Sequence, residues 1–295
     1  MSHQAELIVV AIAALGLLMM IVERLLPGRG FPIVEGWLVR AISINGCQAL
    51  AILLAGVGWN GWMVQHRPWS ADHWGTAAGA LTGYVVLTFV YYWWHLWRHR
   101  SDFLWRWLHQ IHHSPQRLEL LTAFYKHPIE IVTDSLLSSA ILYLAIGLGP
   151  KAAAGAMTLS GIGELFYHWN VKTPYWLGFV VQRPESHLIH HEEGLHDYNY
   201  SDLPIWDILF GTFRNPHEWN ERCGFGSSQE QMVIEMLHGI DASKSAPKRS
   251  VNVRPQPLAS RPPRKAFGRI ARRFHQKRAE PQAARACGAG GSSSR

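Results

Sequence analysis

Residues 6–22 read ELIVVAIAALGLLMMIV. The stretch carries one acidic residue at its edge, and with its flanks it approaches the roughly 20 residues that cross a bilayer as a helix. Comparable stretches lie at 36–58, 75–97, 129–149 and 152–170. Backbone in lipid must satisfy its own hydrogen bonds, so a chain with this pattern is confined to membrane helices, and an all-α fold is expected. The leader MSHQAE has no basic residue, and Glu23-Arg24 follows the first stretch without a small-residue cleavage site. The first stretch therefore reads as a retained span rather than a signal peptide. The last contains Gly161, Gly163 and Glu164, so four spans plus a re-entrant hairpin compete with five.

Charge gives the orientation. With the N-terminus outside, the inner segments hold Arg24, Arg29, Arg98, Arg100, Arg106, Arg117 and Lys126, whereas the outer loops hold Arg67 and Lys151. This is a positive-inside asymmetry. Residues 242–295 carry 14 of the 28 Lys and Arg and a single acidic residue, Glu280, for a charge of +13 against −6 over 1–241. A tail of that composition cannot build a core. It suits an anionic lipid surface or an acidic partner, and within it AFGRIARRF (266–274) could form an amphipathic helix on a membrane. Nucleic acid is not an expected partner of a polytopic membrane protein. Three segments follow: N-terminal membrane helices over 1–84, a catalytic region over 85–241, and a basic cytosolic tail over 242–295. Cys47, Cys223 and Cys287 lack metal or redox spacing.

Histidine carries the chemistry. The chain has 17, and eight form three sets. His95 and His99 stand four apart, and His109, His112 and His113 follow the pattern i, i+3, i+4, as do His187, His190 and His191. On helices each set faces one way, at the inner ends of predicted spans. Imidazole is the commonest side-chain ligand for transition metals. One ion takes four to six ligands, so two ions with about four histidines each is the economical reading, the doubled His-x-x-His-His unit supplying a related share to each. Spacing alone gives two transition metals and does not name them.

HLWRH (95–99), HQIHH (109–113) and HLIHH (187–191), followed by NYSDLPIWDILFGTF (199–213), resemble the fatty acid hydroxylase and sterol desaturase superfamily of membrane di-iron oxygenases. The match covers roughly 85–215 and extends to HPIE (127–130) and FYHWN (166–170). Two positions depart from it. Ser201 stands where many members have Gly, and Lys172 stands where acyl-hydroxylase relatives carry a second His four residues beyond the one matching His168.

The resemblance implies a cytosolic helical cap holding two irons, with O2 as co-substrate. It implies His95, His99, His109, His112, His113, His168, His187, His190 and His191 as ligands. His127, His196, Asp197, Asn199 and Asp207 are candidates for an additional ligand or a supporting role, Asn199 and Asp207 as braces. Asp102, Glu185, Glu192, Glu193 and Asp197 flank the boxes and are candidates to orient ring N–H groups. The substrate would be a membrane lipid, hydroxylated at an unactivated C–H bond, with sterol-type desaturation as the alternative outcome. No flavin, haem or NAD segment is apparent, so a separate donor is expected, a cytochrome b5 or ferredoxin with its NAD(P)H reductase. From a different class, a metal-binding or metal-transport protein would place its ligands nearer the membrane midplane. A bis-His haem protein would need histidines inside the first two spans, which have none.

Overall fold

Each of the five apolar stretches falls in a long helix: α1, His3–Leu25; α2, Trp37–Ala55; α3, Gly75–Arg100; α4, Pro128–Ser139; and α5, Pro150–His168. A π-helical turn, Gly56–Asn60, carries α2 on to Gln65, and another, Ala140–Ala145, extends α4. The computed structural model describes residues 3–245, so the expectations for the rest of the tail, including 266–274, lie outside the described residues. Among the described residues the regular elements are all helical, with one isolated extended bridge between Glu192 and Cys223. Three continuous helical stretches among them are long and apolar enough to cross a membrane: Trp37–Gln65, Asp72–Arg100 and Pro128–Ala145. Leu38, Val39, Ile42, Leu50, Leu53 and Leu81 project outward from them, as lipid-facing side chains must.

The helices run alternately up and down. At one end, Glu23 near the close of α1 accepts from the backbone N–H groups of Leu120 (2.8 Å) and Asn170 (2.9 Å). The indole of Trp37, opening α2, donates to Glu119 at 2.6 Å. At the other end, Ala71 N–H donates to Gly147 O at 2.9 Å, and Arg67 pairs with Asp72 at 3.1 Å.

Small residues fix the spacing of α3 and α5. A Cβ added to Gly83 would lie 3.0 Å from the Ala156 methyl and 2.9 Å from Leu148, and one on Gly155 would lie 2.8 Å from Ala80. Two backbones this close need glycine at the seam. The seam brings the ends of α3 and α5 together, with His95, His99 and His168 on them.

A cap formed by residues 101–127 and 169–245 covers that end. Beneath it, Ile111, Tyr125, Met236 and Ala242 are completely buried together with Trp37 and Trp105. The Gln110 amide, also fully buried, donates to Ile240 O (2.9 Å) and accepts from Ala242 N–H (3.1 Å), clipping the last described turn to the second histidine box.

Candidate metal centre

Local backbone sets the direction of each box. Ser101 caps the turn after α3, its hydroxyl accepting from Leu104 N–H at 3.3 Å. A π-helical turn, Trp105–His109, then leads into the short helix Gln110–His113. The wider turn shifts the register at His109, a device common at functional sites. The third box lies on α6, Pro184–His190, which starts with Pro in its first turn, and His191 follows directly.

Behind the third box, Asn199 adopts a left-handed backbone (φ 58°). Its amide donates to Ser186 O (2.7 Å) and Arg214 O (2.9 Å), and its side-chain oxygen accepts from Arg214 N–H (2.8 Å). Asp207, on α7 (Pro204–Phe210), accepts from the N–H groups of Tyr200 (2.8 Å) and Ser201 (3.0 Å) and from the Thr212 hydroxyl (2.7 Å). Burial lifts its carboxyl to about 6. Both residues brace the turn and neither reaches a box histidine.

The nine histidines of the expected set come together as two groups. His95, His99, His109, His113 and His190 form one, and His112, His168, His187 and His191 form the other, with ring nitrogens in each group within 4.8 Å of one another. The two His-x-x-His-His units are divided between the groups rather than assigned one to each. The outer pair of HQIHH and the middle residue of HLIHH enter the first group, and the second group takes the reverse. The doubled unit thus gives each group a share of three rings. On a helix, i+3 and i+4 lie to opposite sides of i, so the last two rings of each unit can turn toward different groups, and two such turns facing each other exchange their middle members.

The hydrogen bonds behind the rings decide what the fronts offer. The Nδ1–H of His95 donates to Tyr200 O (2.7 Å), that of His109 to Glu130 (2.8 Å), that of His168 to Glu164 O (2.8 Å) and that of His190 to Tyr198 O (2.7 Å). These partners are acceptors, so the proton is on Nδ1 and the Nε2 lone pair points inward. Yet His95 Nε2 lies 2.9 Å from His109 Nε2, two lone pairs with no proton between them. Nε2 contacts also join His187 to His168 (3.2 Å) and to His191 (3.1 Å), and here the Gln182 amide, donating to His187 Nδ1 at 2.7 Å, leaves the His187 proton on Nε2. Among the described residues, neither nitrogen of His99 has a partner, and His190 Nε2 is also without one. Burial, reinforced by the neighbouring rings, holds His109, His112, His113, His187 and His191 well below the usual imidazole range. His190 falls to about 3, with burial again the main cause. Neutral, buried imidazoles with converging lone pairs fit a metal site and fit little else.

The secondary candidates separate. His196 stacks near His99 (ring centres 5.5 Å apart) and lies 5.0 Å from the ring of His113, at the edge of the first group. Asp197 beside it is exposed. His127 caps α4, its Nδ1 accepting from Ile129 N–H (3.0 Å) and its Nε2 lying 3.3 Å from Leu237 O, so its ring serves the backbone.

The flanking carboxylates do not perform the orienting role expected of them. Asp102 pairs with Lys244, Glu185 with Arg183 and Thr173, Glu192 with Trp219, and Glu193 with Arg222. Glu130, fully buried and 21 residues from its histidine, is the carboxylate that meets a box ring, and it also pairs with Arg98. Its place in HPIE was the available signal. The contact itself depends on α4 crossing beneath the second box.

A cavity of about 630 Å³ runs from the two groups into the helical bundle, between the packed pairs α2/α4 and α3/α5. His95, His109, His112 and His187 form part of its wall, and Ile52, Ala55, Leu87, Leu142, Ala153 and Met157 line its apolar part.

The family model described as fatty acid hydroxylase matches residues 80–212, the stretch that holds every residue of both groups. This segment belongs to the fatty acid hydroxylase family. A human alkylglycerol monooxygenase is 28% identical over 165 residues, covering 54% of this chain and 35% of that protein. A Rhizobium tropici ornithine lipid hydroxylase is 33% identical over 159 residues (51% and 46%), and an Arabidopsis thaliana sphinganine C4-monooxygenase is 27% identical over 137 residues (45% and 53%). The chain thus spans between about a third and a half of the length of these hydroxylase-family relatives. No solved structure matches it significantly.

Proposed function

We propose that the protein is an iron-dependent oxidoreductase of the membrane that hydroxylates a lipid at an unactivated C–H bond using O2. The observation that carries this reading is the ending of a lipid-sized cavity on two groups of buried imidazoles whose lone pairs converge. The first group would hold one iron and the second the other. Zinc would suit four imidazoles but has no redox chemistry, and non-haem iron supplies the electron transfer to O2 that C–H attack requires.

The chain's own residues do the rest. Tyr200 O, Glu130, Glu164 O and Tyr198 O hold rings in orientation, which raises ligand basicity and fixes the site before anything binds. The apolar wall takes the alkyl part of the substrate and keeps water away from the reacting carbon. In balance, one oxygen atom of O2 enters the C–H bond and the other leaves as water, with two electrons and two protons supplied from outside. A cytochrome b5 or ferredoxin with its NAD(P)H reductase is the donor in this reading.

With the N-terminus outside, an odd number of spans would put the cap on the cytoplasmic side, as the basic residues around the inner segments favour. The segments 1–84, 85–241 and 242–295 would then act as membrane stalk, catalytic region and surface-binding tail.

Lipid mass spectrometry tests the proposal, comparing cells that express the chain with cells that express His191→Ala, each with a reductase system. A lipid that gains one oxygen only with the intact protein supports it. A lipid that loses two hydrogens would make the reaction a desaturation. An unchanged lipidome from folded, iron-loaded protein, in its own host as well, would overturn it.

A further inference from the structure

The segment that follows the third box does not stay at the end of the bundle. Ser201 Oγ donates to Thr88 O at 3.1 Å, and the Trp206 indole donates to Thr88 Oγ1 at 3.0 Å. The Phe210 ring, closing α7, lies 5.0 Å from that of Tyr92 and 4.7 Å from that of Trp93, and the Trp206 ring lies 5.0 Å from that of Phe89. Thr88 stands twelve residues before Arg100, the last residue of α3. At 1.5 Å per residue, the segment therefore reaches about 18 Å along α3 from its charged end. That point is close to the middle of Asp72–Arg100, a stretch long and apolar enough to cross a membrane.

Away from α3 the segment shows hydrocarbon. Ile205, Ile208, Leu209 and Phe210 are exposed, Leu209 by 64%. The turn Tyr175–Phe179 packs against α7 and adds exposed Trp176 and Val180. On α3 itself, Leu81, Val85 and Phe89 recur every fourth residue and are exposed. Since Phe89 touches Trp206, the outward stripe of the span runs directly on to α7. The polar groups of the segment turn inward. The N–H groups of Tyr200 and Ser201 donate to the Asp207 carboxylate, that of Thr212 donates to Asp207 O, and that of Asn199 donates to Thr212 O. Asp207 is the only charged side chain in 203–213, and it is completely buried. Non-helical backbone is tolerated at membrane depth only where its groups are satisfied within the protein, and an exposed apolar patch marks a partner.

Resting on the membrane placement in the function proposed above, we infer that residues 203–213 form a re-entrant wedge in the leaflet at the histidine end of the bundle, with the acyl chains of that leaflet as its partner. A cap held wholly in water would expose these side chains to solvent at the depth where α3 meets lipid. The root of the wedge is tied to the first histidine group. Tyr200 O accepts from His95 Nδ1, and Tyr200 N–H is held by Asp207. The orientation of the His95 ring thus rests on an element anchored in lipid.

The test uses the full-length chain, loaded with diamagnetic zinc, in phosphatidylcholine nanodiscs. Cys47 and Cys287 are replaced by Ser, and the buried Cys223 is kept. A nitroxide is attached at Leu209→Cys or Ile205→Cys. Its relaxation by O2, which collects in lipid, is compared with its relaxation by a water-soluble nickel chelate. Val85→Cys on α3 and the exposed Arg222→Cys serve as references. Both wedge labels should lose nickel relaxation to the level of Val85→Cys while keeping that by O2. Nickel relaxation of either label at the level of Arg222→Cys would overturn the inference, and a shielded Val85→Cys in the same series would leave the membrane reading standing. Shielding from both reagents, with dipolar broadening between labels, would place a second copy of the chain on this face and also overturn it. If Val85→Cys itself behaves like Arg222→Cys, the membrane reading falls and the wedge with it. Should Leu209→Cys fail to fold, the Ile205→Cys label decides alone.

Discussion

The two histidine groups are built from the same motif and end up unequal. HQIHH and HLIHH each give two rings to one group and one ring to the other, so their contributions balance. The difference comes from the helices that complete the groups. α3 supplies His95 and His99, whereas α5 supplies His168 alone. α5 stops there: Trp169 is already extended (ψ 123°), and Lys172, four residues beyond His168, is exposed on the surface. Donor number is set by where a helix ends, and the box itself does not control it.

Removing one donor from each group should expose the inequality most strongly. His191→Ala leaves the second group three imidazoles, while His190→Ala leaves the first group four. We expect His191→Ala to lose about one metal equivalent and to lower lipid oxidation more than about 100-fold, beyond the range seen when only a ligand's hydrogen-bond partner is removed. His190→Ala should retain more metal. Elemental analysis of both variants measures this, and equal losses would break the comparison.

Acid should act on the two groups together. Rings of both have folded values below the unfolded value of roughly 6.5, His190 at about 3. The unfolded chain therefore takes up protons first, and the metal-free protein is at full stability above about pH 6.5 and loses stability as pH falls toward 3. Thermal unfolding of metal-free protein at pH 7.5 and 5.5 should show a clearly lower midpoint at the acid pH. An unchanged midpoint would mean that the rings are not neutral and buried as described.

Glu130→Gln should weaken the first group selectively. It alters the partner of His109 and leaves Arg98 with Asp134 alone, and metal affinity should fall about 10- to 100-fold in that group, read by competition with a chelator. The smallest effect sharpens the comparison most: Lys172→His should leave metal content unchanged, because the chain has left the helix before position 172. A fifth donor appearing in the second group would show that α5 can extend.

Much of this was legible in the sequence. The five apolar stretches marked the helices, the spacing within the boxes marked eight of the histidines that converge, and the family resemblance added His168. Asn199 and Asp207 hydrogen-bond the backbone around the third box. What was not legible depended on how helices cross. The division of HQIHH and HLIHH needs two facing turns whose relative rotation no local pattern encodes. Glu130 owes its role to α4 passing the second box, whereas the carboxylates nearest the boxes in sequence are drawn to surface cations and an indole. Proximity along the chain favoured the wrong carboxylates.

The exchange of middle histidines also orders events during synthesis. The first group waits for His190 and the second for His191, so neither can be completed while the chain is shorter, although all five long helices have been made by residue 168. Two neighbouring codons thus finish both groups together, and metal capture is expected to come after membrane insertion rather than during it. A half-made or truncated chain would hold two partial sites and no whole one.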